Sequence, residues 1–261
     1  MLILLPPSEG KASGGDGAPL DLAALTLPAL NPTRQRIMDA LVALCAGPPQ
    51  TAMAVLGLGP RQAEDLAVNA AVATAATRSA AELYTGVLYD ALGLGTLVPA
   101  ARAAADRQLL VFSGLWGVLR PGDRVAPYRL PIGVSLPGVG PLAGAWRPAL
   151  AAALDPGRGL VLDLRSGAYG SAWRPGPALA GRLVQARVLV EAEDGSRKVV
   201  SHHNKAAKGK LVRELLTAGA DPASVTELGA VLAELGWRAE LAAGRGAYTL
   251  DLVLDQVLVR A

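Results

Sequence analysis

The chain has 261 residues, 51% of them hydrophobic, with a single cysteine and a formal net charge of +3. That length supports a core well beyond the marginal range, and one cysteine excludes an intramolecular disulfide framework. No window approaches the roughly 18 uninterrupted apolar residues of a membrane span, and the mild basicity matters only through its distribution.

In chain order, the apolar run Leu2–Leu5 predicts a buried strand ended by Pro6-Pro7. The run has no basic flank and is too short for the core of a secretory signal, so a cytoplasmic location is expected. Residues 8–19 read as a Gly/Ser-rich loop. Asn31-Pro32-Thr33 predicts a helix start, with apolar residues at helical spacing through 33–46 and a stop at Gly47-Pro48-Pro49. Cys45 falls in that helix, where a buried small hydrophobe is the expected role and no basic neighbour in sequence argues for a reactive thiolate. Helices are expected at about 60–75 and 79–92. Core strands are expected at 109–112 and 159–164, and a strand pair at 184–191 and 199–202 around Asp194-Gly195. Asn204 is a candidate N-cap for a helix reaching about Ala218, and Asp221-Pro222 is expected to open another that ends near Gly236. A last strand is expected over 248–259. Strand and helix signals mix along the whole length without a compositional boundary. They predict one α/β (α+β mixed) unit, residues 1–261, with a mixed sheet flanked by helices.

Three segments carry candidate chemistry. Gly57-Leu58-Gly59-Pro60-Arg61 has the form of a helix-hairpin-helix turn. Pro60 suits a first helical position, free N–H groups there can meet a phosphate, and Arg61 adds charge. An ordinary loop and cap uses the same residues, and Glu64 and Asp65 repel phosphate. From Arg197 to Arg213 the chain carries Lys/Arg residues and both histidines with no acid. On a helix Lys205 and Lys208 share a face, with Arg213 on the same broad side. Gly209 in such a helix costs up to about 1 kcal/mol against Ala, which calls for something approaching closely there. A solvated basic helix is the alternative. Adjacent His202 and His203 make a shared metal ion a poor prospect, and no metal or cofactor is expected.

The central segment Ser113-Gly114-Leu115-Trp116-Gly117 follows a predicted strand, with Arg120, Tyr128 and Arg129 shortly beyond. Such groups form a pocket for a phosphate or a base, or a loop held by its own hydrogen bonds. Trp116 is a core residue or a stacking platform. Asp163, Arg165, Ser166 and Tyr169 repeat the theme after the next core strand, so loops opening on one edge would form a single site. Ser113 lacks the glycines of a nucleophile elbow. The catalytic candidates are Ser113, Tyr128 and Lys205.

Several stretches in order resemble the YaaA family of peroxide-stress proteins: LLPPSEGK at the start, ELYTGVLYDAL (82–92), LLVFSGLWGVLRPGDRVAPYRLPIG (109–133), VLDLRSGAYGSAW (161–173), VVSHHNKAAKGKLVREL (199–215) and GRGAYTLDLVL (244–254). The departure is Pro7-Ser8-Glu9-Gly10-Lys11, where better-known members carry a Ser-Pro-Ala-Lys type of segment. The resemblance implies a family-specific α/β fold, a link to surviving hydrogen peroxide by limiting free iron, and DNA binding through a helix-hairpin-helix element and a positively charged cleft.

The expected function is therefore non-specific binding of double-stranded DNA in peroxide defence. The contacts are drawn from Gly57, Gly59, Arg61, Arg120, Arg129, Arg165, Lys205, Lys208 and Arg213. The alternative is an enzyme acting on a nucleotide or another phosphorylated small molecule in the same cleft. Iron handling is a third reading that the resemblance alone motivates.

Overall fold

A computed structural model of the chain describes residues 1–192, 194–199 and 202–255. Its frame is an eight-stranded sheet. In chain order the strands are β1 (Leu2–Leu5), β2 (Leu109–Ser113), β3 (Gly117–Leu119), β4 (Val161–Asp163), β5 (Leu183–Glu191), β6 (Arg197–Val199), β7 (Ala239–Ala243) and β8 (Tyr248–Asp255). The spatial order is β7-β8-β5-β4-β1-β2-β3, with β6 added beside the second half of β5. The sheet is mixed. β1 runs parallel to β2 on one side and to β4 on the other, and β5 is parallel to both β4 and β8. The flanking β3, β6 and β7 are antiparallel to their neighbours.

The central strands are apolar on both faces because both faces are covered. Every residue of β2 and β4 is buried, as are Ile3, Leu4 and Leu5. That continuous apolar reading is what a doubly covered parallel sheet demands. The covering helices are α1 (Asn31–Cys45), α2 (Pro49–Leu56), α3 (Glu64–Ala70), α4 (Ala80–Leu83), α5 (Val87–Leu92), α6 (Pro99–Gln108), α7 (Leu142–Ala153), α8 (Gly167–Gly170), α9 (His202–Thr217) and α10 (Val225–Glu234).

Several boundaries differ from expectation, each for a local reason. The helix expected over 79–92 is two helices, parted at Tyr84–Gly86, where Lys11 forms an isolated bridge with Tyr84 and Gly86 adopts φ 96°. That φ belongs to the region glycine favours. The helix expected from residue 60 begins as a 3₁₀ turn, Pro60–Gln62, and becomes α-helical only at Glu64. α9 starts at His202, so Asn204 lies inside its first turn rather than capping it. α10 starts at Val225 with Ser224 as its cap, the Ser224 side chain accepting from the Glu227 N–H. The Ala-rich α6 and the Pro148-containing α7 are helices that periodicity and breaker signals did not announce. Of the strand expected over 248–259, residues 248–255 are β8 and the rest lie outside the described residues.

Two internal arrangements fix the parts that matter below. Arg34 of α1 is fully buried and donates to the carbonyls of Trp116 and Val118, stapling the turn between β2 and β3. Trp116 is itself a core residue. Gly209 answers the cost of a glycine inside a helix: a Cβ there would collide with the Leu88 carbonyl oxygen of α5. The close approach is thus made by a neighbouring helix.

Candidate functional site

Because β2 and β4 both run parallel to β1, the carboxyl ends of the three strands lie on one edge of the sheet. Ligands of open α/β sheets bind at that edge. Here it gathers the loop after β1 (residues 6–12), the Ser113 loop after β2, and the Asp163–Ser166 loop after β4. The Ser113 loop and the Asp163–Ser166 loop thus open on one edge.

The first loop is held in place by Lys11. The Ala12 N–H donates to the Leu83 carbonyl at 2.8 Å, and the Lys11 ammonium donates to the Ser8 carbonyl at 2.8 Å. The same Nζ lies 4.4 Å from the ring centroid of Tyr128 and 5.6 Å from that of Tyr84. Burial pushes the Lys11 ammonium down to about 8, with the adjacent Glu9 charge opposing and Arg129 reinforcing the shift.

Behind the lysine runs a buried chain of hydroxyls. Ser113 Oγ lies 2.6 Å from the Tyr128 hydroxyl, which lies 2.9 Å from that of Tyr84. Ser113 Oγ also accepts from the N–H groups of Leu115 and Trp116. A hydroxyl has two lone pairs and one hydrogen, so Ser113 donates to Tyr128, and Tyr128 donates to Tyr84. With its lone pairs occupied and 1% exposed, Ser113 is the anchor of its loop. Burial raises the phenols of Tyr84, Tyr128 and Tyr169 well above the ordinary tyrosine range, so all three stay neutral.

The third loop is locked by a buried pair, Arg165 and Asp163, at 2.7 Å. The Arg165 guanidinium also donates to the carbonyls of Tyr169 and Trp173 and lies 4.2 Å above the Phe112 ring centroid. Lys208 reaches the same loop from α9 and donates to the Leu164 carbonyl at 3.1 Å. Burial lowers its ammonium, with Asp163 opposing.

Between the first loop, the start of α5, the third loop and α9 lies a cleft of about 530 Å³. It is lined by residues 6–10 and 86–89 together with Leu164, Ser166, Tyr169, Asn204, Lys205 and Lys208. Lys205 is exposed at the rim, and Asn204 Oδ1 is buried without a hydrogen-bond partner among the described residues. Arg129 braces the rim from below through ion pairs to Glu9 at 3.4 Å and Asp65 at 3.5 Å, its backbone pinned by Asn69.

The chain also matches known sequences over nearly its whole length. The sequence profile of the family described as "Peroxide stress protein YaaA" matches residues 1–241. This chain belongs to the YaaA peroxide-stress family. It is similar to a UPF0246 protein of Streptomyces coelicolor, 48% identical over 98% of this chain and 100% of that protein. A UPF0246 protein of Corynebacterium efficiens is 40% identical over 97% of this chain and 100% of its own length.

For this YaaA-family member, the residues singled out in the sequence divide into two groups. Lys205 and Lys208 line the cleft, Arg129 braces it, and Ser113, Tyr128 and Arg165 lie in the layer beneath. The others sit elsewhere. Arg213 donates to the carbonyls of Leu92 and Gly93 and so closes the end of α5. Arg120 donates to the carbonyls of Asp106 and Arg107 at the end of α6. It lines a separate cleft of about 340 Å³ beside Met1, at the opposite edge of the sheet. Gly57 closes α2 with φ 65°, and Gly59 and Gln62 satisfy one another: the Gly59 N–H donates to Gln62 Oε1 and the Gln62 N–H to the Gly59 carbonyl. Arg61 is exposed on that turn. Cys45 is half-buried, and burial pushes its thiol up.

Sequence reasoning missed Lys11, Glu9 and Tyr84 as site residues. The available signal was position: a lysine closing the polar loop at the carboxyl end of the first core strand. Ser201 lies outside the described residues, as do the side chains of His202 and His203. Among the described residues no group of three or more His, Cys, Asp or Glu is placed to hold a metal ion, and no helix is long and apolar enough to cross a membrane.

Proposed function

We propose that this peroxide-stress family member binds a phosphate-bearing ligand of nucleotide size in the cleft between the Pro6–Gly10 loop and α9. The observation that carries the reading is the exposed Lys205 at the rim of a cleft of about 530 Å³, directly after the unpartnered buried Oδ1 of Asn204. Lys205 carries no hydrogen bond or ion pair among the described residues and offers a full charge to a phosphate. The buried acceptor of Asn204 and the apolar faces of Tyr89 and Tyr169 suit the base or sugar of the same ligand. The size of the cleft falls in the usual range for small-molecule sites, roughly 300–1,000 Å³.

Binding of duplex DNA is the second reading, favoured by the exposed Arg61 on the α2–α3 turn. A duplex grip draws on many cations, whereas Arg120, Arg165, Lys208 and Arg213 all donate to internal carbonyls. That commitment is why the small-ligand reading ranks first.

A thermal-shift series with nucleoside mono-, di- and triphosphates, beside a salt titration of duplex binding, separates the two. The cleft reading expects a melting temperature that rises with nucleotide concentration, because a ligand of the folded state must stabilise it. It expects Lys205→Glu to remove the rise and Arg61→Glu to leave it. Steep salt-dependent duplex binding lost in Arg61→Glu, with no nucleotide effect, would replace it with the DNA reading.

A further inference from the structure

We infer that Lys11 is the reactive amine of the cleft: held between Tyr84 and Tyr128 and against Ser8, its Nζ forms an imine with the carbonyl group of a phosphorylated aldehyde or ketone. The inference deepens the phosphate-binding reading and rests on it.

Position is the first argument. The Nζ donates to the Ser8 carbonyl at 2.8 Å, and Ser8, Glu9 and Gly10 are part of the cleft wall. Lys11 thus stands directly behind the Ser8–Gly10 part of the wall, next to the lining rather than in it, and the same cleft carries Lys205 to hold a phosphate. Surroundings are the second. Two aromatic rings at 4.4 and 5.6 Å cover part of the amine and both phenols stay neutral, so the opposing charge comes only from Glu9 and Asp65, and desolvation outweighs it. Burial accordingly brings the ammonium down to about 8. About a tenth of it is then free amine at neutral pH, hundreds of times more than for an ordinary lysine. A desolvated lysine of this kind is how imine-forming sites activate nitrogen. Among the described residues no aromatic ring lies over the Lys208 ammonium, and Lys205 differs because it stands in solvent.

The chemistry balances without a further reactant. The Nζ lone pair attacks the carbonyl carbon, forming an N–C bond as the C=O π pair moves to oxygen. A proton passes from nitrogen to that oxygen, giving a neutral carbinolamine. The C–O bond then breaks, the second nitrogen proton leaves with it, and the products are an imine and one water.

The test uses the full chain and pyridoxal 5′-phosphate, a phosphorylated aldehyde, with pyridoxal as its phosphate-free control. Each is incubated with protein, reduced with borohydride and located by peptide mass spectrometry. The expected result is labelling of Lys11 ahead of Lys198, Lys205 and Lys210, at least tenfold faster with the phosphorylated aldehyde. Lys205→Glu is expected to remove that phosphate advantage, and Lys11→Arg to remove the label from a chain that still unfolds in one cooperative transition. Labelling confined to other lysines, or no reducible adduct in the wild type, overturns the inference even if nucleotides stabilise the protein. Equal labelling of Lys11 by both aldehydes overturns the phosphate-binding reading on which the inference rests.

Discussion

Ser113 Oγ and the Tyr128 hydroxyl lie 2.6 Å apart in the interior, and the direction of the bond between them is set by two backbone N–H groups that already occupy the serine's lone pairs. A residue that invites a nucleophile reading in sequence is thereby an orienting group. It holds the loop after β2 and, through Tyr128 and Tyr84, the floor under Lys11.

Replacing Ser113 by alanine leaves the N–H groups of Leu115 and Trp116 buried without an acceptor. The cost is about 1–3 kcal/mol for such a group. Tyr128→Phe breaks the same chain one step later. Because the residues share one network, the double variant is expected to lose less than the sum of the two single changes. Chemical denaturation of the three variants measures this.

At Gly209 the usual helix rule reverses. Glycine to alanine in an exposed helix interior gains about 1 kcal/mol, but here the new methyl meets the Leu88 carbonyl of α5. Gly209→Ala is expected to destabilise by about 1–3 kcal/mol, as overpacking does, and to lower the denaturant midpoint.

The buried pair Asp163–Arg165 is 2.7 Å long and shut away from solvent. Asp163→Ala leaves a buried guanidinium without its carboxylate, at an expected loss of about 3–5 kcal/mol by the measure of other broken buried pairs. The melting temperature reports it.

Lys11 carries a pH signature. Burial lowers its folded-state value from the ordinary lysine 10.5 to about 8. Below pH 8 both folded and unfolded chains hold the proton, and the folded state bears the full penalty of burying it. Between pH 8 and 10.5 the unfolded chain holds more protons, so stability attributable to this group rises with pH. The wild type is expected to gain on Lys11→Met as pH rises through that window. A stability difference flat from pH 7 to pH 10 would remove Lys11 from the set of buried amines.

Much of the frame was legible in sequence because it rests on strong local signals. The apolar runs at Leu2–Leu5 and Leu109–Phe112 are continuous because both sheet faces are covered; Asp194-Gly195 announces the turn between β5 and β6, but β6 is Arg197–Val199 rather than the expected 199–202, because His202 already belongs to α9 and residues 200–201 lie outside the described residues. α6 was hidden because alanine supplies helix propensity without a contrasting apolar stripe. α7 was hidden because Pro148 reads as a breaker. The site divides in the same way. Lys205 and Lys208 show in sequence as a basic cluster at helical spacing. Whether a cation is free or spent on a carbonyl depends on contacts far along the chain, such as Arg213 with Leu92 and Arg120 with Asp106. Lys11 was overlooked for the same reason: Tyr84 and Tyr128, which give it its character, are remote in sequence.

Amide hydrogen exchange with and without the most stabilising nucleotide tests the central claim most directly, because it locates the ligand. The account predicts protection in residues 8–12 and in the first turns of α9 around Asn204–Lys208, absent in Lys205→Glu. Protection confined to the Gly57–Gln62 turn, or no protection at any nucleotide concentration, would contradict it.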